Sequence, residues 1–310
     1  MRVRIRWPVL TLILLIAASA QAQAPPQQSD PEEPDYAFLA GGPYTQLRNS
    51  IQIIHATSFG TRRFTLPGGR RNEDEFVFFT RTEWGFTDRL ELDVITPAQG
   101  SRRRDSSATL SSSYGYADTV LGVRYRLLDE EGAPITLTMG PQLILPTGSV
   151  REGLGAGSTG FAWDVSAAKD WRGPVFLFSS FNYSVLPRAE DTTPGSRARH
   201  LLHGLGWATA VGIRALENSR GDGARHDLHL MLEGTGSWEQ EVVPAIPRIL
   251  QGTREGRLSW AIAPGLRYGF LTKALTLTEI GVAVPIGLGP NGPKWGIHFQ
   301  FQFERVFGRR

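Results

Sequence analysis

Apolar residues recur at every second position through most of this sequence, and that period restricts the chain more than anything else in it. Successive residues of a strand point to opposite faces, so strict alternation makes one face oily and the other polar. The first sets are Ile51, Ile53 and Phe59; Phe76, Phe78 and Trp84; and Leu90, Leu92 and Val94. The pattern continues through Leu121–Leu127, Ile135–Leu145, Phe161–Val165, Val175–Tyr183 and Leu205–Ile213. It ends with Leu228–Leu232, Leu258–Tyr268, Ile280–Ile286 and Trp295–Phe303. That makes about twelve strands, most of them reaching the roughly 9–11 residues that a tilted strand needs to cross a bilayer. No run has convincing i, i+3, i+4 periodicity.

The other faces decide the environment. They carry Arg81 and Glu83, Glu91 and Asp93, Arg124 and Arg126, Asp164, Arg214, Glu233, Arg267, His298 and Glu304. Small residues such as Gly204, Gly206, Ala208 and Ala210 stand among them. A soluble sandwich would turn the oily face inward, where Phe299, Phe301 and Phe303 in a row would crowd a small core. In hydrocarbon the oily face turns outward and the charges line an interior. An open sheet cannot span, because each unpaired backbone group costs several kcal/mol there. The expected fold is therefore all-β: a closed, transmembrane antiparallel β-barrel of about 12 strands, within a range of 10–14, and without a plug domain.

Links between the strands support this. Short ones at 85–88, 129–132, 170–173 and 270–273 alternate with longer polar ones near 60–74, 98–114, 146–158, 187–199 and 239–256, with two imperfect members, a longer short-side link at 217–224 and a short long-side link after 286. Outer-membrane barrels have short periplasmic turns and long external loops. An even strand number places both termini in the periplasm. Trp84, Trp171, Tyr183, Trp238, Trp260, Phe270 and Trp295 suit interfacial girdles.

The N-terminus fits that destination. Arg2, Arg4 and Arg6 precede an apolar run and small residues in A-x-A spacing, the layout of a signal peptide cleaved after Ala20, Ala22 or Ala24. The run is short for a membrane helix. Residues 25–46 read as a flexible periplasmic leader, opening on PPQQSDPEEPD, and 47–310 as the barrel. Loss of residues 1–24 removes three arginines and no acid, so bases and acids balance in the mature chain. A nucleic-acid partner, which needs a concentrated basic surface, has no support. There is no cysteine, hence no disulfide and no thiolate metal site.

Catalytic and metal motifs are weak. His55 lies near Ser58, but no compact Ser–His–Asn arrangement exists. His226 and His229 fall on opposite faces of a strand and make poor joint ligands. The run GLGAGSTG (153–160) lacks a phosphate-loop lysine and a following helix. Arg62, Arg63, Arg70, Arg71 and Arg102–Arg104 lie in outer links, where they could meet lipid phosphates or simply water. No catalytic residue, cofactor or metal is expected. The inward charges are the candidate lumen-lining residues, able both to tune permeation and to pair for stability.

EWGFTDRLELDVITP (83–97), TVLGVRYRLLDEEGAPITLTMGPQLILPTGS (119–149), FAWDVSAAKDWRGPVFLFSSFNYS (161–184) and APGLRYGFLTKALTLTEIGVAVPIG (263–287) resemble the MetA-pathway-of-phenol-degradation family of outer-membrane transporters. The resemblance runs over most of residues 47–307. It implies a channel for small hydrophobic or aromatic solutes, and it brings no site residues with it. The alternatives are a structural or surface-interaction barrel working through its outer loops, and a lipid-modifying barrel enzyme. The expected partners are outer-membrane lipids, the barrel-assembly machinery, periplasmic chaperones and an unidentified small solute, with the barrel a monomer. Phe307 continues the terminal aromatic alternation, but Gly308, Arg309 and Arg310 follow it.

Overall fold

A computed structural model describes residues 39–66, 69–104, 110–171, 174–190, 199–219, 225–243, 253–272, 276–289 and 294–307. The expected signal peptide and the first part of the expected leader, through residue 38, lie outside the described residues. The strands in chain order are β1 (Ser50–Leu66), β2 (Gly69–Gly85), β3 (Leu90–Arg104), β4 (Leu110–Tyr116), β5 (Thr119–Leu128), β6 (Thr136–Leu145) and β7 (Gly160–Asp170). They continue with β8 (Val175–Glu190), β9 (Arg199–Ser219), β10 (Arg225–Val243), β11 (Thr253–Leu271), β12 (Thr276–Ala283), β13 (Ile286–Gly287) and β14 (Trp295–Val306).

Neighbours in sequence pair antiparallel around the sheet, and β1 closes on β14 from Ser50↔Val306 to Thr61↔Trp295. β4 and β5 both bond β3, one after the other, and are two pieces of one stave. β12 and β13 likewise share β11. The wall is thus a closed barrel of twelve staves.

The ladder between β12 and β14 ends at Ala283↔His298. Pro285 follows, and it has no N–H to give. Beyond that point the stave holds on through Gly296 N–H to the Pro285 carbonyl, 2.8 Å, and Leu288 N–H to the Trp260 carbonyl, 2.9 Å.

The oily sets face outward. Leu121, Val123 and Tyr125 on β5, Leu230 and Leu232 on β10, and Phe299 and Phe301 on β14 are all exposed. Several of the long links are shorter than the sequence suggested, because the strands run on. β1 reaches Leu66 and β2 resumes at Gly69, while β9 and β10 are 21 and 19 residues long. The backbone register sets Glu73 opposite Arg62 on β1 and Arg103 on β3.

One expectation is corrected. The leader expected to be flexible through residue 46 is packed in its last part: Ala40, Tyr44, Thr45, Gln46 and Leu47 are buried inside the barrel. This stretch, LAGGPYTQL, is apolar and small where the preceding PPQQSDPEEPD is acidic. It can therefore bury area that the acidic part cannot.

Candidate functional site: an occupied lumen

Segment 39–47 enters β1 at the short-turn end. Ser50 N–H bonds the Leu47 carbonyl and Asn49 N–H bonds the Gly85 carbonyl, both at 2.9 Å. Asn49 makes the corner with φ 61, a left-handed conformation that Asn tolerates better than most residues. From there the segment crosses the interior to β10. A short plug, made from the end of the leader itself and not a domain, fills part of the lumen.

The wall grips this segment mainly by its backbone. Glu233 Oε2 accepts from Leu39 N–H at 2.7 Å and Ala40 N–H at 3.2 Å. Ser180 Oγ accepts from Gly41 N–H at 3.3 Å, and Glu91 Oε2 from Gln46 N–H at 2.6 Å. Arg124 donates to the Gly42 carbonyl and Thr138 to the Pro43 carbonyl. An extended segment without a sheet partner must find such side chains, since an unmet buried N–H or C=O costs about 1–3 kcal/mol. Side chains add an apolar contact. Tyr44 meets Phe178 edge-to-face at 6.1 Å, and Leu39 and Ala40 pack in a cluster with Phe176, Phe178, Ala208, Ala210 and Met231.

The sequence-derived lumen residues lie on this inner face. Glu83, Glu91, Asp93, Arg124, Arg126, Glu233, Arg267, His298 and Glu304 are buried; Asp164 and Arg214 are half-buried. The structure gathers five of the candidates into one network. Arg81 bonds Glu83 at 2.6 Å and Asp93 at 3.0 Å, and Arg124 bonds Glu91 at 2.9 Å. Gln46 of the plug donates to Glu83 at 3.1 Å. The carboxylates of Glu83, Glu91 and Asp93 come within 4.8 Å of one another. Two guanidinium groups, those of Arg81 and Arg124, pair with these three carboxylates, so the cluster reads as an ion-pair network.

The remaining candidates stand elsewhere. Arg126 bonds Asp129 at 3.0 Å, Arg214 bonds Asp170, and Arg267 bonds Glu279 at 3.4 Å. Asp164 accepts from Ser166 at 3.1 Å. His298 Nδ1 is 2.6 Å from Ser58 Oγ. His55, the histidine near Ser58 in sequence, lies on the outer face against Thr80, 2.9 Å away.

Sequence reasoning missed the plug and its apolar seat. The seat was signalled by VFLFSSF (175–181), a strand with bulky apolar residues on both faces, which means both faces are covered. Beyond the plug, next to Leu39, is a cavity of about 320 Å³. Val77, Ala261 and Gly296 line it together with Ser58, Glu75, Ser237 and Ser259.

No protein-family model and no curated protein matches the chain. Among solved structures, it is similar to an outer-membrane channel from Pseudomonas putida F1, with 14% identity and TM-score 0.56, covering 89% of this chain and 100% of that one. The β-domain of a Bordetella autotransporter aligns with 9% identity and TM-score 0.48, over 82% of this chain and 98% of that one. The first of these likenesses establishes the barrel fold.

Proposed function

We propose that the protein is an outer-membrane channel for passive passage of small, hydrophobic or aromatic solutes. The observation that carries this reading is the cavity of about 320 Å³ between Leu39 and the wall, inside a barrel filled by its own short segment instead of a solid core. A purely structural barrel needs no such space, and close packing would remove it. The mostly apolar and small lining fits solutes of low polarity. The similar channel from Pseudomonas putida F1 and the resemblance to the MetA-pathway family point the same way. In this reading both termini belong to the periplasm, the barrel works as a monomer among outer-membrane lipids after delivery by chaperones and assembly machinery, and the inward charges hold the plug.

The test is reconstitution of the full mature chain. Small single-channel conductance in planar bilayers is expected, together with uptake of neutral aromatic solutes into liposomes. Absence of both conductance and uptake, in protein that migrates as a folded barrel, would sink the reading.

A further inference from the structure

Segment 39–47 is held mainly by its main chain, and that decides what else fits in its place. The successive N–H groups of Leu39, Ala40 and Gly41 go to Glu233 and Ser180, and the Gln46 N–H goes to Glu91. The carbonyls of Gly42 and Pro43 go to Arg124 and Thr138. Glu233, Glu91, Arg124 and Thr138 are all buried. Main-chain N–H and C=O groups recur in any peptide, and neither identifies its residue. Within the segment a positive φ is confined to Asn49 at the corner, so residues 39–46 keep a backbone open to L-residues in general. A Cβ on Gly41 would lie 3.6 Å from Ser166 Oγ, an ordinary contact, so the seat does not demand glycine there. The wall restricts charge and bulk at two other points. Ala40 lies in the apolar cluster with Phe176, Phe178, Ala208 and Ala210, and Tyr44 meets Phe178 edge-to-face.

We propose that the lumen is a binding site for a short, uncharged, extended peptide supplied by another molecule, and that residues 39–46 are a tethered ligand of the same kind. Glu233, Ser180, Arg124, Thr138 and Glu91 are its main-chain contacts, and Phe178 is the wall of its aromatic pocket. Where a sheet edge binds a peptide, main-chain bonds give affinity and side-chain pockets give preference. Here the inward side chains of a barrel do both. A carboxylate acceptor strengthens each N–H bond it takes, which suits Glu233 and Glu91 to the task. A charge at the Ala40 position would be buried in the apolar cluster, which rules charged residues out there. A short tether holds its ligand at an effective concentration in the millimolar range, so a free peptide enters only after the chain's own segment has left. The proposal goes beyond the channel reading and does not rest on it, because binding needs the lumen and not conduction.

The test is isothermal titration calorimetry of the full mature protein in lipid nanodiscs, with empty nanodiscs as blank. Ala40→Asp with Tyr44→Asp puts two charges into the apolar seat and drives the chain's own segment out. Protease cleavage ahead of β1, with heat-modifiable migration kept, reports this opening; Ala40→Asp alone replaces the pair if the pair does not fold. The probe is LAGGPYTQ, the sequence of residues 39–46, acetylated and amidated at its ends. It binds the opened variant and not the native protein. An analogue with an ester oxygen in place of the Ala40 N–H loses a bond to Glu233 and binds at least about tenfold more weakly. An analogue with alanine at the Gly41 position binds as the parent does. Glu233→Ala in the opened variant narrows the gap between amide and ester. Equal affinity of amide and ester overturns the proposal, as does a lack of binding to the opened variant. Equal binding to native and opened protein also overturns it, since the peptide then lies outside the seat. Peptide binding without conductance on the same preparations counts against the channel reading alone.

Discussion

Glu233 Oε2 lies 2.7 Å from the backbone nitrogen of Leu39, and this hydrogen bond joins residues 194 apart in sequence. The same oxygen also accepts from Ala40. Glu233→Ala therefore removes two acceptor contacts from the plug at once. The expected result is faster hydrogen exchange confined to the amides of Leu39 and Ala40, and a larger mean conductance, with barrel migration on gels unchanged. Unaltered exchange at both amides would show that the apolar seat alone holds the segment.

Arg124 and Glu91 are a buried ion pair at 2.9 Å, with side chains 2% and 0% exposed. Removing one partner strands the other charge. Arg124→Met should cost on the order of 3–5 kcal/mol, whereas Arg124→Met with Glu91→Leu should cost less than the single change. Urea unfolding of each variant, read from the heat-modifiable gel shift, distinguishes additivity from this rescue. A double variant at least as damaged as the single would refute it.

Gly85 marks the exit of the plug. A Cβ there would sit 1.9 Å from the Leu47 carbonyl oxygen, which is backbone and cannot swing aside. Gly85→Ala should displace residues 46–47 and weaken the Gln46–Glu91 contact. Protease cleavage between the leader and β1 is the measurement, with the native protein resistant under matched conditions.

Phe176 covers Gly212 and stacks under the Arg214 guanidinium, 5.1 Å from the ring centre. Phe176→Ala empties this part of the apolar seat and should destabilise by about 3–5 kcal/mol. Phe176→Leu refills most of the volume and should recover much of it. Chemical denaturation of the pair of variants gives the comparison. A similar loss in both would place the value of the ring in its cation–π contact instead of its volume.

The wall was legible in the sequence because its signal is local and repeated. Leu90, Leu92 and Val94 against Glu91 and Asp93 declare two faces within five residues, and the same statement recurs around the sheet. The plug was not legible because its contacts are neither local nor periodic. The backbone of Leu39, Gly42 and Gln46 is read by side chains of Glu233, Arg124 and Glu91, and a main-chain N–H carries no residue identity. Ser58 and His298 illustrate the same limit. They meet across 240 residues, while His55, three positions from Ser58, faces the other side of the wall. The inward placement of the charges followed from alternation; which charge meets which depends on the register between strands.

Segment 39–47 is also a clock. It precedes every strand in the chain, yet its holders stand on β3, β5, β6, β8 and β10, and Glu233 is reached only when most of the wall has been made. Long-range contacts of this kind pay loop-closure entropy before they return anything. The residues that precede all the strands are thus fully seated only once β10 is in place, and a docked Leu39 is a sign that β10 has joined the wall.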